Sequence, residues 1–169
     1  IIVAQSMFGG MNAFTLLALP FFILAGNIMA AGGVSRRLIN FAQALLGHIP
    51  GGLAIVSVVA CAFFAAVSGS AAATCAAVGA IMVPCMREAN YDDDFSAAVI
   101  GTAATSGIII PPSVPMIVYC ISVGGGISVG DCFMAGIIPG VIYCAALAVL
   151  AVVRSKKNNY HGTKRATAK

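Results

Sequence analysis

Charge is what this chain is short of. Nine Lys and Arg and five Asp and Glu serve 169 residues, 8% of the sequence, where soluble domains carry about 25%. A soluble domain of this length needs a polar shell, and so few charges cannot supply one. Disorder, coiled coil and nucleic-acid binding demand more charge still and are excluded as main roles. Tryptophan is absent and aromatics are 8%, so no stacking platform is evident. There are two histidines, His48 and His161, and none of the six cysteines (Cys61, Cys75, Cys85, Cys120, Cys132, Cys144) stands in a C-x-x-C pair. Zinc and haem-attachment motifs are therefore missing. Five of the six cysteines lie in apolar runs, where Cys behaves as a small hydrophobe, and packing rather than a disulfide is the expected role. No apolar span combines Ser with a His or carboxylate, so neither an enzyme nor a cofactor is expected. The opening Ile1-Ile2-Val3-Ala4 has no initiator Met or basic n-region, so no cleavable signal peptide is expected. The chain reads as a truncated copy of something longer.

What is present is apolar surface: 60% hydrophobic residues and a mean hydropathy of +1.02. That is the composition of an integral membrane protein or part of one, and the spacing of its breaks predicts an all-α, polytopic fold. A span needs about 20 apolar residues to cross a core of about 30 Å. Residues 13–31 form the first complete candidate, followed by the basic pair Arg36-Arg37. Residues 38–47, with Leu38, Phe41 and Leu45 at helical spacing, are too short to cross and suggest an interfacial connector. Residues 51–86 carry no charge, and their middle reads Ser68-Gly69-Ser70. Each limb falls short of the bilayer core, which describes a re-entrant hairpin with its tip at membrane depth; two tightly packed full spans are the alternative. Residues 95–123 are apolar but interrupted between Thr105 and Pro115, where Pro111, Pro112 and Pro115 cannot continue a regular helix. This segment is expected to be two half-helices around an unwound middle. Residues 132–153 span again, and 154–169 form a basic tail. Every cation then falls on one side and none in the loop Gly124–Asp131, which makes the basic side cytoplasmic.

Inside a bilayer an unsatisfied backbone polar group costs several kcal/mol, so non-helical main chain survives only around a cavity or a site. The two interruptions are rich in Ser, Thr and Gly and free of charge. Their carbonyl and hydroxyl oxygens suit a hard monovalent cation such as Na⁺, and the half-helix N-termini beyond them present N–H groups to an anion. Paired discontinuous segments near the midplane are the arrangement of secondary transporters. Close helix packing by small residues is the alternative reading of Ser68-Gly69-Ser70. Asn27 is expected to make a helix-to-helix hydrogen bond and His48 to sit at the interface.

At these residues the sequence resembles the large membrane subunit of tripartite ATP-independent periplasmic (TRAP) transporters, the DctM-type permease. The resemblance runs through Leu19-Pro20-Phe21-Phe22-Ile23-Leu24-Ala25-Gly26-Asn27, Gly47-His48-Ile49-Pro50-Gly51-Gly52-Leu53-Ala54 and Phe63-Phe64-Ala65-Ala66-Val67-Ser68-Gly69-Ser70-Ala71. It continues through Gly79-Ala80-Ile81-Met82-Val83-Pro84, Ile110-Pro111-Pro112-Ser113-Val114-Pro115-Met116 and Ala135-Gly136-Ile137-Ile138-Pro139-Gly140, in family order. It implies a Na⁺-coupled importer of organic acids, such as C4-dicarboxylates or sialic acid, in the bacterial inner membrane as a multi-pass protein. The implied partners are a small TRAP membrane subunit, a periplasmic substrate-binding protein and membrane lipid, with no nucleic acid. The implied architecture is one half of an inverted-repeat elevator. On that resemblance Ser68, Gly69 and Ser70, with Thr105 and Gly107 opposite, would bind Na⁺, while Pro111, Pro112 and Ser113 would border the substrate. Ile108 stands where the family has the first proline of its second motif. The second repeat is missing, so this chain is expected to be a portion of a longer permease. A non-transporting membrane fragment or assembly partner, or a divalent-anion/Na⁺ symporter-like protein, are the alternatives.

Overall fold

The structure, a computed structural model, describes residues 5, 18–47, 49, 51–123, 126–158 and 160. Residues 13–17 of the expected first span, His48, Pro50, Gly124, Gly125 and the tail from residue 161 lie outside the described residues, as does the Asn27 side chain. Among the described residues every regular element is helical, the solution open to apolar segments that must satisfy their own backbone. The order is α1 (Ala18–Ala31), α2 (Val34–Leu46), α3 (Gly52–Ser68), α4 (Ala71–Glu88), α5 (Asp93–Ala104), a 3₁₀ turn (Thr105–Ile108), α6 (Val114–Ser122) and α7 (Val129–Lys157).

α3 is the axis of the packing. It is apolar on all sides, and a helix of that kind is stable only when surrounded. Leu53, Val56, Cys61 and Phe64 are each at most 2% exposed, with α2, α4, α5 and α7 all packed against it. Val78, Met82 and Met86 of α4 and Ile100 and Ala103 of α5 complete the core. The buried Ser57 hydroxyl within this arrangement donates to the Leu53 carbonyl at 2.9 Å.

α7 is the opposite case. Its 29 residues extend about 43 Å at 1.5 Å per residue, more than the bilayer core requires. Met134, Ile138, Val141, Ile142 and Leu150 face outward, each more than 60% exposed. α4, with 18 residues, is the second described helix long and apolar enough to cross a membrane.

Helix boundaries depart from the sequence expectation in three places. α2 begins at Val34, behind Gly33 in the left-handed region at φ 75°. It buries Ile39 and Ala42 while Phe41 and Leu45 turn outward, so two of the three residues of the expected apolar stripe are exposed. The hairpin limbs are 17 and 18 residues long, about 25 and 27 Å, because helical geometry continues to Glu88. α7 runs through the first four residues assigned to the tail; Arg154, Lys156 and Lys157 occupy its last turn, where cations complement the helix dipole.

Both ends of the bundle are defined by contacts. A Cβ on Gly51 would lie 2.6 Å from that of Ser155, which puts the start of α3 beside the end of α7. The Tyr160 hydroxyl bonds the Asp92 carboxylate, and its ring stacks on Tyr91 at 4.3 Å between centroids. The Arg87 guanidinium, two-pronged on Asp93 at 2.8 and 2.9 Å, closes the loop between α4 and α5. Arg87, Arg154, Lys156 and Lys157 therefore share one end, and the loop before α7 lies at the other.

Candidate functional site

The two interruptions expected from the sequence meet. α3 stops because Gly69 turns left-handed (φ 61°, ψ 11°), its N–H still closing on the Ala65 carbonyl. Only glycine takes that conformation without steric cost. Ser70 is extended and caps α4, its hydroxyl accepting from the Ala73 N–H at 3.4 Å. On the other side the 3₁₀ turn Thr105–Ile108 ends α5, and the chain runs irregularly to Ser113, the N-cap of α6.

Contact between them is backbone on backbone. A Cβ added to Gly69 would sit 2.8 Å from the Pro112 carbonyl oxygen, and one added to Gly107 would sit 3.1 Å from the Ala71 nitrogen and 3.2 Å from the Ser70 oxygen. The Val114 N–H donates across the gap to the Gly69 carbonyl at 3.4 Å. Close approach thus excludes a side chain at Gly69, and at Gly107 a Cβ would require the hairpin backbone to give by a few tenths of an ångström.

Oxygen atoms converge at the hairpin tip. The Ser68 and Thr74 hydroxyls are 3.0 Å apart, and the Thr74 hydroxyl donates to the Ser70 carbonyl at 2.8 Å. Ser68 Oγ lies 3.3 Å from the same carbonyl. Thr74 is fully buried and does not stand out in the sequence. A threonine amid Ala, Cys and Val reads as one more small residue; its place one turn after the Ser68-Gly69-Ser70 break is the available signal.

Other expected residues sit differently. Thr105 is exposed, and its hydroxyl is engaged with the Tyr143 hydroxyl at 2.5 Å and the Thr102 carbonyl at 2.7 Å. It ties the break to α7 rather than to the hairpin. Ser113 is fully buried, and its hydroxyl donates to the Ile108 carbonyl at 2.8 Å, which closes the irregular stretch on itself. Pro111 and Pro112 are half-buried, with the Pro112 carbonyl directed at Gly69. The neighbouring Ser106 is fully buried.

The first turn of α4 adds donors. Its leading N–H groups, on Ala71 and Ala72, have no intrahelical acceptor by helix geometry, and they open where Gly107 approaches. The arrangement therefore offers uncharged oxygens for a cation and the N-terminus of α4 for an anion. A separate cavity of about 560 Å³ runs between α5 and α7 toward Asp92 and Arg154 and is lined by neither interruption.

All 169 residues match the family described as the tripartite ATP-independent periplasmic transporter, DctM component. The C4-dicarboxylate TRAP transporter large permease protein of Rhodobacter capsulatus is 43% identical over 94% of this chain and 39% of its own length. The sialic acid TRAP transporter large permease protein of Vibrio cholerae is 42% identical over 93% of this chain and 36% of its own. The isethionate TRAP transporter permease protein of Oleidesulfovibrio alaskensis is 46% identical over 95% and 25% respectively. The chain thus spans two fifths or less of the length of these relatives, all of them transporter permease subunits and not enzymes. The match along the whole sequence and the identity to these permeases carry one conclusion: the chain belongs to the DctM component family of TRAP transporters.

Proposed function

We propose that this chain forms one half of the transport machinery of a Na⁺-coupled organic-acid importer in the bacterial inner membrane. The carrying observation is the approach of Gly69 to Pro112 and of Gly107 to Ser70, which brings two non-helical stretches into main-chain contact within an apolar bundle. Such stretches are tolerated in a bilayer where they are buried in protein or line a cavity. The cation-bearing end of the bundle faces the cytoplasm, as basic residues do in multi-pass proteins, and the hairpin enters from that side.

In this mechanism Na⁺ is held by uncharged oxygens at the tip: the Ser68 hydroxyl, the Gly69 and Ser70 carbonyls and the Thr74 hydroxyl. Gly107 allows the break to close over them, and Thr105 anchors that break to α7. Binding of the ion draws hairpin and broken helix together. The N–H groups opening α4, bordered by Pro111, Pro112 and Ser113, then form a positive pocket for a carboxylate or related anion. The relatives' names, spanning C4-dicarboxylates, sialic acid and isethionate, share that anionic character. Alternating access follows from coupling: ion and substrate each bind best to the closed junction, so each raises the affinity of the other. The remaining length of the permease, a small membrane subunit and a periplasmic substrate-binding protein complete the importer.

The test is uptake by the full-length permease with both partners, measured against Na⁺ concentration. Ser68→Ala with Ser70→Ala should move half-activation to higher Na⁺. Unaltered Na⁺ activation would remove these hydroxyls as ligands.

A further inference from the structure

Two cysteines twelve positions apart converge at the end of the bundle opposite Arg154, Lys156 and Lys157. Cys120 is in the last turns of α6 and Cys132 in the first turn of α7, and their Sγ atoms are 2.8 Å apart, far inside ordinary contact between sulfurs. Cys120 is 4% exposed and Cys132 half-buried, so one thiol is reachable while the other waits behind it. The connecting loop has no Lys or Arg. It stands a full length of α7, about 43 Å, from the end that holds Arg154, Lys156 and Lys157.

We propose that Cys120 and Cys132 form a disulfide in the extracytoplasmic compartment, linking the second limb of the broken helix to α7. The inference rests on the sidedness proposed above, because disulfides form and persist outside the cytoplasm. The oxidant is a protein disulfide of that compartment. The Cys132 thiolate attacks it, forming a mixed disulfide and releasing one oxidant thiolate. The Cys120 thiolate then attacks Cys132 Sγ and releases the second. The two protons given up by the cysteines end on the oxidant, which leaves as a dithiol. The product fixes the far end of α6, the helix whose opposite end bears Ser113 and Val114 at the junction with the hairpin.

The protease trypsin provides the readout, because no Lys or Arg occurs between Arg87 and Arg154. The resulting peptide, Glu88–Arg154, contains Cys120, Cys132 and Cys144. Full-length permease in native membranes is denatured and alkylated, with or without prior reduction, and this peptide is weighed. One tag before reduction, on Cys144, and three after it are expected. Cys120→Ser protein should carry two tags without reductant, on Cys132 and Cys144. Three tags on the unreduced wild-type peptide overturn the inference, as does a single tag on the unreduced Cys120→Ser peptide, which would mean that Cys132 pairs elsewhere. Treating detergent-solubilised protein with diamide separates the two supports. If the thiols are free in cells yet close with diamide, it is the sidedness that fails; if they stay free with diamide too, it is the pairing.

Discussion

The α-carbon of Gly69 faces the carbonyl of Pro112 so closely that a single methyl group would come within 2.8 Å of that oxygen. The two residues are 43 positions apart in sequence, and their contact defines how the hairpin sits on the broken helix. Gly69→Ala should therefore fail twice. A left-handed backbone costs a residue with a Cβ about 1–2 kcal/mol, and the new methyl must push the Pro112 segment away. The expected result is a lower melting temperature in detergent and reduced uptake. Gly101→Ala is the control, since a methyl group there would meet nothing within 4 Å and helix interiors favour Ala over Gly by about 0.5–1 kcal/mol. Equal melting temperatures for the two variants would show that the contact is not maintained.

This junction is largely legible in the sequence, and the reason is physical. Ser68-Gly69-Ser70 and Pro111-Pro112 punctuate otherwise uncharged runs, and Gly and Pro act locally, through φ and the missing N–H. What escapes is long-range. Tyr160 lies beyond the last span, and nothing near it announces a stack on Tyr91 or a bond to Asp92, 68 positions away. Cys120 and Cys132 read singly as small hydrophobes, and only the fold brings them together. Thr105 stands at the expected break, but its hydroxyl has a neighbour that the sequence does not announce: which way it points from a 3₁₀ turn depends on Tyr143, in another helix.

Thr74 is the residue at the tip whose removal should be most informative. Thr74→Val keeps the shape and deletes the hydroxyl that links Ser68 Oγ to the Ser70 carbonyl. Leaving a buried polar group unsatisfied costs about 1–3 kcal/mol, and at this position the loss should also appear as a shift of Na⁺ half-activation to higher concentration. Thr102→Val is the comparison, because that exposed hydroxyl donates only to carbonyls of its own helix. If the two variants show the same Na⁺ curve, Thr74 has no part in ion binding.

Tyr160 fastens the end of α7 to the loop between α4 and α5 by two separable means. Its hydroxyl meets the Asp92 carboxylate and the Asn158 amide, and its ring lies against Tyr91 and Phe95. Tyr160→Phe removes only the first, with an expected cost of about 1.5–3 kcal/mol for a hydrogen bond to a charged group. Tyr160→Ala removes both and should cost more, because an aromatic pair adds about 0.5–1.5 kcal/mol beyond its buried area. Thermal unfolding of the three proteins in one detergent measures the order. Phe and Ala variants of equal stability would mean the ring contributes nothing.

Arg87 and Asp93 give the pH prediction. Hydrogen bonding from the Arg87 guanidinium holds the Asp93 carboxyl below its ordinary value, so the folded protein retains the charged form to lower pH than the unfolded chain does. The pair's contribution to stability is complete above the unfolded carboxylate pKa and disappears as pH falls through the depressed folded one. Between pH 5 and 8, in the range about one unit or more above ordinary carboxylate values, it should be constant. Both side chains are well exposed, at 66% and 58%, so added salt should weaken the pair at any pH in that window. A carbon-13 titration of the Asp93 carboxyl tests this directly: its midpoint should lie below the ordinary aspartate value and move up toward it in Arg87→Gln. Identical midpoints for Asp93 in the parent and the variant would show that the guanidinium does not hold the carboxylate in solution.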